Sequence, residues 1–138
     1  IPVPHIFDAA AMKLASCGAI RPGILATSRT LADGALVERV AGGRPHVRLD
    51  SVRQAALDSL ILERLTMGRI DTHGRDMLDS AIDALADSGA DAILLACTEL
   101  PLLIGVPSAR ARDHVAPQLI DAVDAHVNTL LDLQKECQ

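Results

Sequence analysis

Tryptophan and tyrosine are absent from this 138-residue chain, and Phe7 is its only phenylalanine. Without aromatic platforms there is nothing on which nucleobases could stack, and a net charge of −5 provides no basic track for phosphates. Nucleic acid is therefore excluded as a partner class. No apolar run approaches the ~20 residues of a membrane helix, and no signal peptide is visible, so no membrane partner is expected. Cysteine is scarce: Cys17, Cys97 and Cys137 lie far apart and form no CxxC pair. That usage fits reduced thiols in a cytoplasm and not a disulfide framework. The five histidines make no HExxH or His-x-His pattern, which argues against a metal. Glycine-rich nucleotide loops and the G-x-S-x-G elbow of serine hydrolases are missing as well.

What the chain does have is aliphatic. Apolar residues make up 49% of it, and the length suits one domain whose core is Leu, Ile, Val and Ala. The most informative stretch is Asp91–Ile104, DAILLACTELPLLI. Ala92–Ala96 is a nearly continuous apolar run, as expected of a strand covered on both faces in a parallel sheet. It stops at a thiol, a hydroxyl and a carboxylate: Cys97, Thr98 and Glu99. Pro101 then suits the first turn of a helix. In open parallel sheets ligands sit outside the carboxyl ends of strands, which places Cys97 at a site-forming edge. A following helix start would favour its thiolate. The alternative is a small buried hydrophobe, the common fate of a free cysteine, but the polar flanks Thr98 and Glu99 argue against it.

Elsewhere the patterning alternates. Phe7, Ala10, Ala11 and Leu14 predict a helix over 5–17, stopped by Gly18. Ile20–Thr27 predicts a strand with Ile24, Leu25 and Ala26 buried. A helix to about Ala41 follows, with Leu31, Ala35, Leu36 and Val40 inward. His46–Leu49 alternates like a short strand, and Asp50 or Ser51 can cap the next helix, which ends at Gly68. Another helix from about His73 turns Met77, Leu78, Ala81, Ile82 and Leu85 inward, and Asp79, Asp83 and Asp87 are expected to face solvent. The core is predicted over 5–105, a loop over 106–117 and a C-terminal helix over 118–134. That last helix would carry Leu119, Ile120, Val123, Val127, Leu130 and Leu131 on one stripe. This order predicts an α/β fold, a parallel sheet with helices on both faces. A helical bundle is the alternative and would need 20–27 and 92–97 to be helical.

A second polar cluster, Thr27-Ser28-Arg29-Thr30, ends the first strand and opens a helix. Taken alone, Ser28 or Thr30 reads as a helix cap; because the cluster and Cys97 would open onto the same sheet edge, its hydroxyls and amides are expected to receive a carboxylate or phosphate. Cys17 precedes that strand at its opposite end, about 20 Å away, and is read as structural. Cys137 lies in a tail expected to fray.

ACTELPLLI resembles the second cysteine motif of the aspartate/glutamate racemase family, Gly-Cys-Thr-Glu-hydrophobic-Pro-Leu-Leu, with Ala96 in place of the glycine. GILATSRT is similar to that family's Leu-Leu-Ala-Thr-x-x-Thr segment, LERLTMGRI to its helix ending in Leu-x-x-Gly, and LIDAVDAH to the segment opening its last helix. The resemblance implies one lobe of a two-lobed, cofactor-independent racemase in which a cysteine from each lobe faces the substrate Cα. It makes Cys97 the second-lobe acid/base and Glu99 its accompanying carboxylate. Thr27, Thr30 and Thr98 become substrate contacts, and Asp121 and His126 candidate site residues. The ligand expected is a small anionic amino acid, aspartate or glutamate. The first-lobe motif, Cys-Asn-Thr-Ala-His, is absent, and IPVPHI reads as a segment that follows it. The chain is therefore expected to be a fragment that pairs with an N-terminal lobe or forms a homo-oligomer, and by itself to be inactive. The alternatives are a one-cysteine relative (a hydantoin racemase, maleate isomerase or decarboxylase) and a non-catalytic half-domain binding an anion or a partner.

Overall fold

A computed structural model describes residues 3–110 and 117–136. The order of elements follows the alternation in the sequence. Helix α1 (Ile6–Ser16) leads into strand β1 (Gly23–Leu25) and then α2 (Ser28–Leu31) and α3 (Gly34–Ala41). Helix α4 (Ser51–Ser59) continues through a π turn (Leu60–Arg64) and a 3-10 turn (Leu65–Met67). Next come α5 (Thr72–Asp87), β2 (Ala92–Leu95), a 3-10 turn (Leu100–Leu103), β3 (Gln118–Asp121) and α6 (Ala122–Glu136). The three strands form one parallel sheet in the order β1-β2-β3, with Leu25 opposite Leu95 and Leu95 opposite Asp121.

Both faces of the sheet are covered, as the unbroken apolar run of β2 requires. Successive strand residues point to opposite sides. Ile93 and Leu95 pack with Leu57, Leu60, Leu78, Ile82 and Leu85 from α4, its π turn and α5. Ala92 and Leu94 pack with Phe7, Leu14, Val37, Val40 and Ile120 on the side of α1 and α3. Gly23 allows a close approach: a Cβ there would stand 2.9 Å from Leu85 Cδ1 and 3.1 Å from the Ala90 Cβ. At the sheet's other end, Asp91 accepts from the amides of Ile20 (2.6 Å) and Arg21 (3.1 Å), tying the starts of β1 and β2 together.

Four expectations change. The helix expected from Ser28 to Ala41 is broken, because the Asp33 carboxylate accepts from Leu36 N–H and caps a new helix. Val37 turns inward in place of Ala35, which is exposed. The strand expected at His46–Leu49 is a single parallel bridge, Val47 to Gly23, whose backbone bonds are confined to Val47, with Pro22 and Ile24 as partners. The third strand is instead β3, inside the segment read as the last helix: pairing with β2 overrides its helical spacing. On α6 the inward residues are Ala122 and Ala125, whereas Val123, Val127, Leu130 and Leu131 are 37–48% exposed. Small residues let α6 lie close to α1, and the larger ones project away.

The fourth correction concerns α5. Asp79, expected in solvent, is fully buried and paired with Arg75, and Asp83 is half-buried beside Arg110. Asp87 alone of the three is exposed. The part of the predicted loop containing Arg112, and Cys137 at the chain's end, lie outside the described residues. No helix among the described residues is long and apolar enough to cross a membrane.

Candidate active site

Backbone register places the two polar clusters side by side. Leu25 and Leu95 are the last paired residues of β1 and β2, and Ala96 N–H donates to the Leu25 carbonyl at 2.8 Å. Thr27 and Cys97 are thus each two residues beyond matched positions on neighbouring strands, which in a sheet run about 4.8 Å apart. Asp121 ends β3 opposite Leu95 and lies on the same edge. That edge is the carboxyl end of a parallel sheet, where open α/β folds bind ligands. Cys17, the residue capping the end of α1 ahead of β1, belongs to the opposite edge, and its thiol donates to the Leu14 carbonyl at 3.3 Å. It is half-buried like Cys97, so the two differ by place and not by exposure.

Glu99 organises the motif. Its Oε2 accepts from the Cys97 thiol at 2.9 Å and from the Thr98 hydroxyl at 2.8 Å. These two donors hold the Glu99 carboxyl below its ordinary range. The thiol responds in the opposite sense: burial first, then the Glu99 carboxylate, push it from an ordinary 9.0 to about 11. The expected thiolate-favouring helix start is therefore overturned. The element that follows is a single 3-10 turn, and the backbone amides of Glu99 and Leu100, which do act to lower the value, are outweighed. Because the folded thiol keeps its proton longer than an unfolded one, its contribution to stability is full below pH 9.0 and fades as pH rises through about 11.

A titration follows from this geometry. With Cys17 and Cys137 replaced by serine, the rate of Cys97 alkylation should rise with pH to a midpoint near 11. Glu99→Gln should lower that midpoint yet leave it above 9.0, since burial, the larger cause, persists. A midpoint that does not move would mean that Glu99 does not govern the thiol.

Thr27 and Thr30 form one unit. Thr27 caps α2: its hydroxyl accepts from Thr30 N–H at 3.4 Å and lies 3.2 Å from the Thr30 hydroxyl. The cap expected of Ser28 or Thr30 is thus supplied by Thr27. The Ser28 amide, expected to face an anion, donates instead to Asp58 Oδ1 at 2.9 Å. Gln54 Nε2 donates to that same oxygen and to the Ala26 carbonyl, both at 2.9 Å. Burial alone would raise the Asp58 carboxyl, but the hydrogen bonds from Ser28 and Gln54 leave it below its ordinary value. Gln54 and Asp58, one turn apart on α4, thus fix the backbone on both sides of Thr27. Their only sequence signal was that i, i+4 spacing on an amphipathic helix.

Asp121 Oδ1 accepts from Val123 N–H at 2.8 Å and so stabilises the start of α6. His126 lies further along that helix, its Nε2 3.0 Å from the Pro4 carbonyl just ahead of α1. Both therefore have structural duties, Asp121 at the start of α6 and His126 against the segment ahead of α1. No group of three or more His, Cys, Asp or Glu among the described residues is placed to hold a metal ion.

Comparison with known proteins shows the family. A family model for Asp/Glu/hydantoin racemases matches residues 1–130. A glutamate racemase from Corynebacterium kroppenstedtii is 27% identical over 116 residues, covering 83% of this chain and 39% of that protein. The crystal structure of a candidate Asp/Glu racemase from Yersinia pestis superposes with a TM-score of 0.81 at 28% identity, over 96% of this chain and 56% of that one. An aspartate racemase homologue from Pyrococcus horikoshii superposes at 0.78 with 22% identity and the same coverage, a likeness of fold alone. The chain spans about two fifths of the curated relative and just over half of each of these solved chains. On its sequence and its parallel sheet together, the chain belongs to the Asp/Glu/hydantoin racemase family.

Proposed function

We propose that this chain supplies one half of a racemase acting on aspartate or glutamate, with Cys97 as one of two acid/base groups. The observation that carries the reading is the Cys97–Glu99 hydrogen bond at the carboxyl edge of the sheet, alongside the Thr27–Thr30 pair. Family membership supports the reaction class.

In this state Cys97 holds its proton at neutral pH and is poised as the donor. A base on the opposite face of the substrate takes the Cα proton. The electron pair left at Cα then takes the Cys97 proton from the other side, inverting the centre and leaving Cys97 as thiolate. The reverse reaction runs through that thiolate. Thr27, Thr30 and the exposed Thr98 hydroxyl receive the substrate's carboxylate groups. Neither pyridoxal phosphate nor a metal takes part in this scheme.

Cys17 sits at the far edge of the sheet, so the second base comes from another lobe. The apolar stripe of Val123, Val127, Leu130 and Leu131 supports such pairing, because contiguous exposed apolar surface marks an interaction face. The one-cysteine alternative also has an observation behind it: Cys97 is the only cysteine at the site edge among the described residues.

Exchange of the α-proton in deuterated water, followed for each enantiomer of aspartate and glutamate, tests the proposal. The chain alone should be inert, and activity should appear when a lobe bearing Cys-Asn-Thr-Ala-His is supplied. Racemisation by the chain alone would refute the two-lobe scheme. Activity on neither amino acid in the assembly would refute the substrate class.

A further inference from the structure

Arg75 is the side chain that ties helix α5 to the segment following the cysteine motif. Its Nε donates to the buried Asp79 carboxylate one turn along at 3.0 Å. A terminal nitrogen of the same guanidinium donates to three carbonyls: Leu103 at 3.1 Å, Ile104 at 2.5 Å and Val106 at 2.9 Å. The side chain is 16% exposed, and its bonds to Asp79, Leu103 and Val106 are partly buried, whereas that to Ile104 is open to solvent. The bonds to carbonyls fall at the end of a one-turn helix, where carbonyls have spare acceptor capacity and a cation is electrostatically favoured.

That turn begins at the candidate site. Leu100 N–H donates to the Cys97 carbonyl at 3.3 Å and Leu102 N–H to the Glu99 carbonyl at 3.2 Å. Ile104 N–H continues the ladder to Pro101 at 3.0 Å, and Val106 N–H to Leu103 at 3.0 Å. A short chain of hydrogen bonds thus runs from Cys97 to the carbonyls that Arg75 grips. Packing acts in the same place: a Cβ at Gly74 would stand 3.3 Å from Leu103 Cδ2, so α5 and the turn lie in close contact. Beyond the turn, Asp76 accepts from the Ser108 hydroxyl and the Ala109 amide, and Asp83 from Arg110. The acidic face of α5 is a rail to which residues 103–110 are strapped.

We propose that Arg75, oriented by the buried Asp79, is a positioning residue that holds the Cys97–Glu99 turn in place from its downstream end. Sequence alone does not suggest this role, since Asp79 reads as one of a solvent-facing stripe of carboxylates. The role in turnover rests on Cys97 being the acid/base group; the structural linkage does not.

Two variants of the full chain test it, each with Cys17 and Cys137 replaced by serine. Arg75→Lys keeps the charge beside Asp79 but loses the planar fork that spans the carboxylate and the carbonyls. Arg75→Met/Asp79→Asn removes both charges, so that no buried carboxylate loses its cation. In each, freeing the turn should let water reach Cys97 and lower its titration midpoint. A drop of one unit raises the thiolate fraction about tenfold at a fixed pH below the midpoint and, because a less basic thiolate is a weaker nucleophile, speeds alkylation by about three- to fourfold. Amide exchange should quicken at Leu100, Leu102 and Ile104 and stay unchanged at Leu94. Lowered thermal stability with unchanged alkylation and unchanged local exchange would overturn the proposal, as would exchange that quickens equally across the chain. If the double variant does not fold, Arg75→Lys decides alone, and wild-type behaviour in it overturns the proposal. In the two-lobed assembly either variant should lower kcat with KM little changed. Failure of the wild-type assembly to exchange the α-proton would instead sink the racemase reading and leave the alkylation result standing.

Discussion

Cys97→Ser should lower racemisation of the favoured amino acid by ~10²–10⁴ in the two-lobed assembly, the range set by removing a positioned general acid–base. Serine keeps the size and the hydrogen bond to Glu99 within reach, so the fold should survive. What is lost is a group that can give up and regain a proton near Cα, since an alkoxide is far less accessible than a thiolate. The equilibrium constant between enantiomers is unity, so kcat/KM must fall equally in both directions. Deuterium entry need not fall equally, because the opposite base can still take the α-proton from the one enantiomer that presents it. The measurement is therefore optical rotation for net turnover, with mass or proton resonance for exchange of each enantiomer. A serine enzyme that keeps most of its turnover would remove Cys97 from the chemistry, and Glu99 would become the candidate base.

The second large effect concerns stability. Leu94→Ala should cost ~2–5 kcal/mol, the usual range for a buried leucine whose cavity relaxes only in part. Leu94 is fully buried in the middle strand and packs in the cluster that joins β1, β2 and β3 to α1 and α3. Set against a total of ~5–15 kcal/mol for a typical domain, that is a large share. Urea unfolding should show a lower midpoint with little change in slope. Val52→Ala, at a position 78% exposed on α4, serves as the control and should stay within about 0.5 kcal/mol of wild type. A Leu94→Ala loss no larger than that control would contradict a sheet packed on both faces.

The sequence by itself determined the parts that depend on local chemistry. The short apolar run 92–96 announced a strand buried on both faces, because a strand covered on both sides carries apolar residues in succession and no alternation. Turn and cap residues marked the ends of elements: Gly18 and Gly68 take left-handed backbone after helices, and Asp50 caps α4. The polar triplet Cys97-Thr98-Glu99 and the cluster from Thr27 to Thr30 stood out because each interrupts an apolar strand at its carboxyl end.

Only the tertiary structure decided matters that depend on what lies across from a residue. Gln118–Asp121 becomes a strand because β2 offers an unpaired edge, and period alone cannot separate a short buried strand from the first turn of a helix. Asp79 is buried beside Arg75, whose guanidinium also reaches the carbonyls of Leu103, Ile104 and Val106, a meeting of segments some 28 residues apart in sequence. The Cys97 thiol sits high because burial and the Glu99 carboxylate outweigh the nearby amides. A sequence lists these groups but carries no distances, and the electrostatic balance among them is set by distance and solvent access.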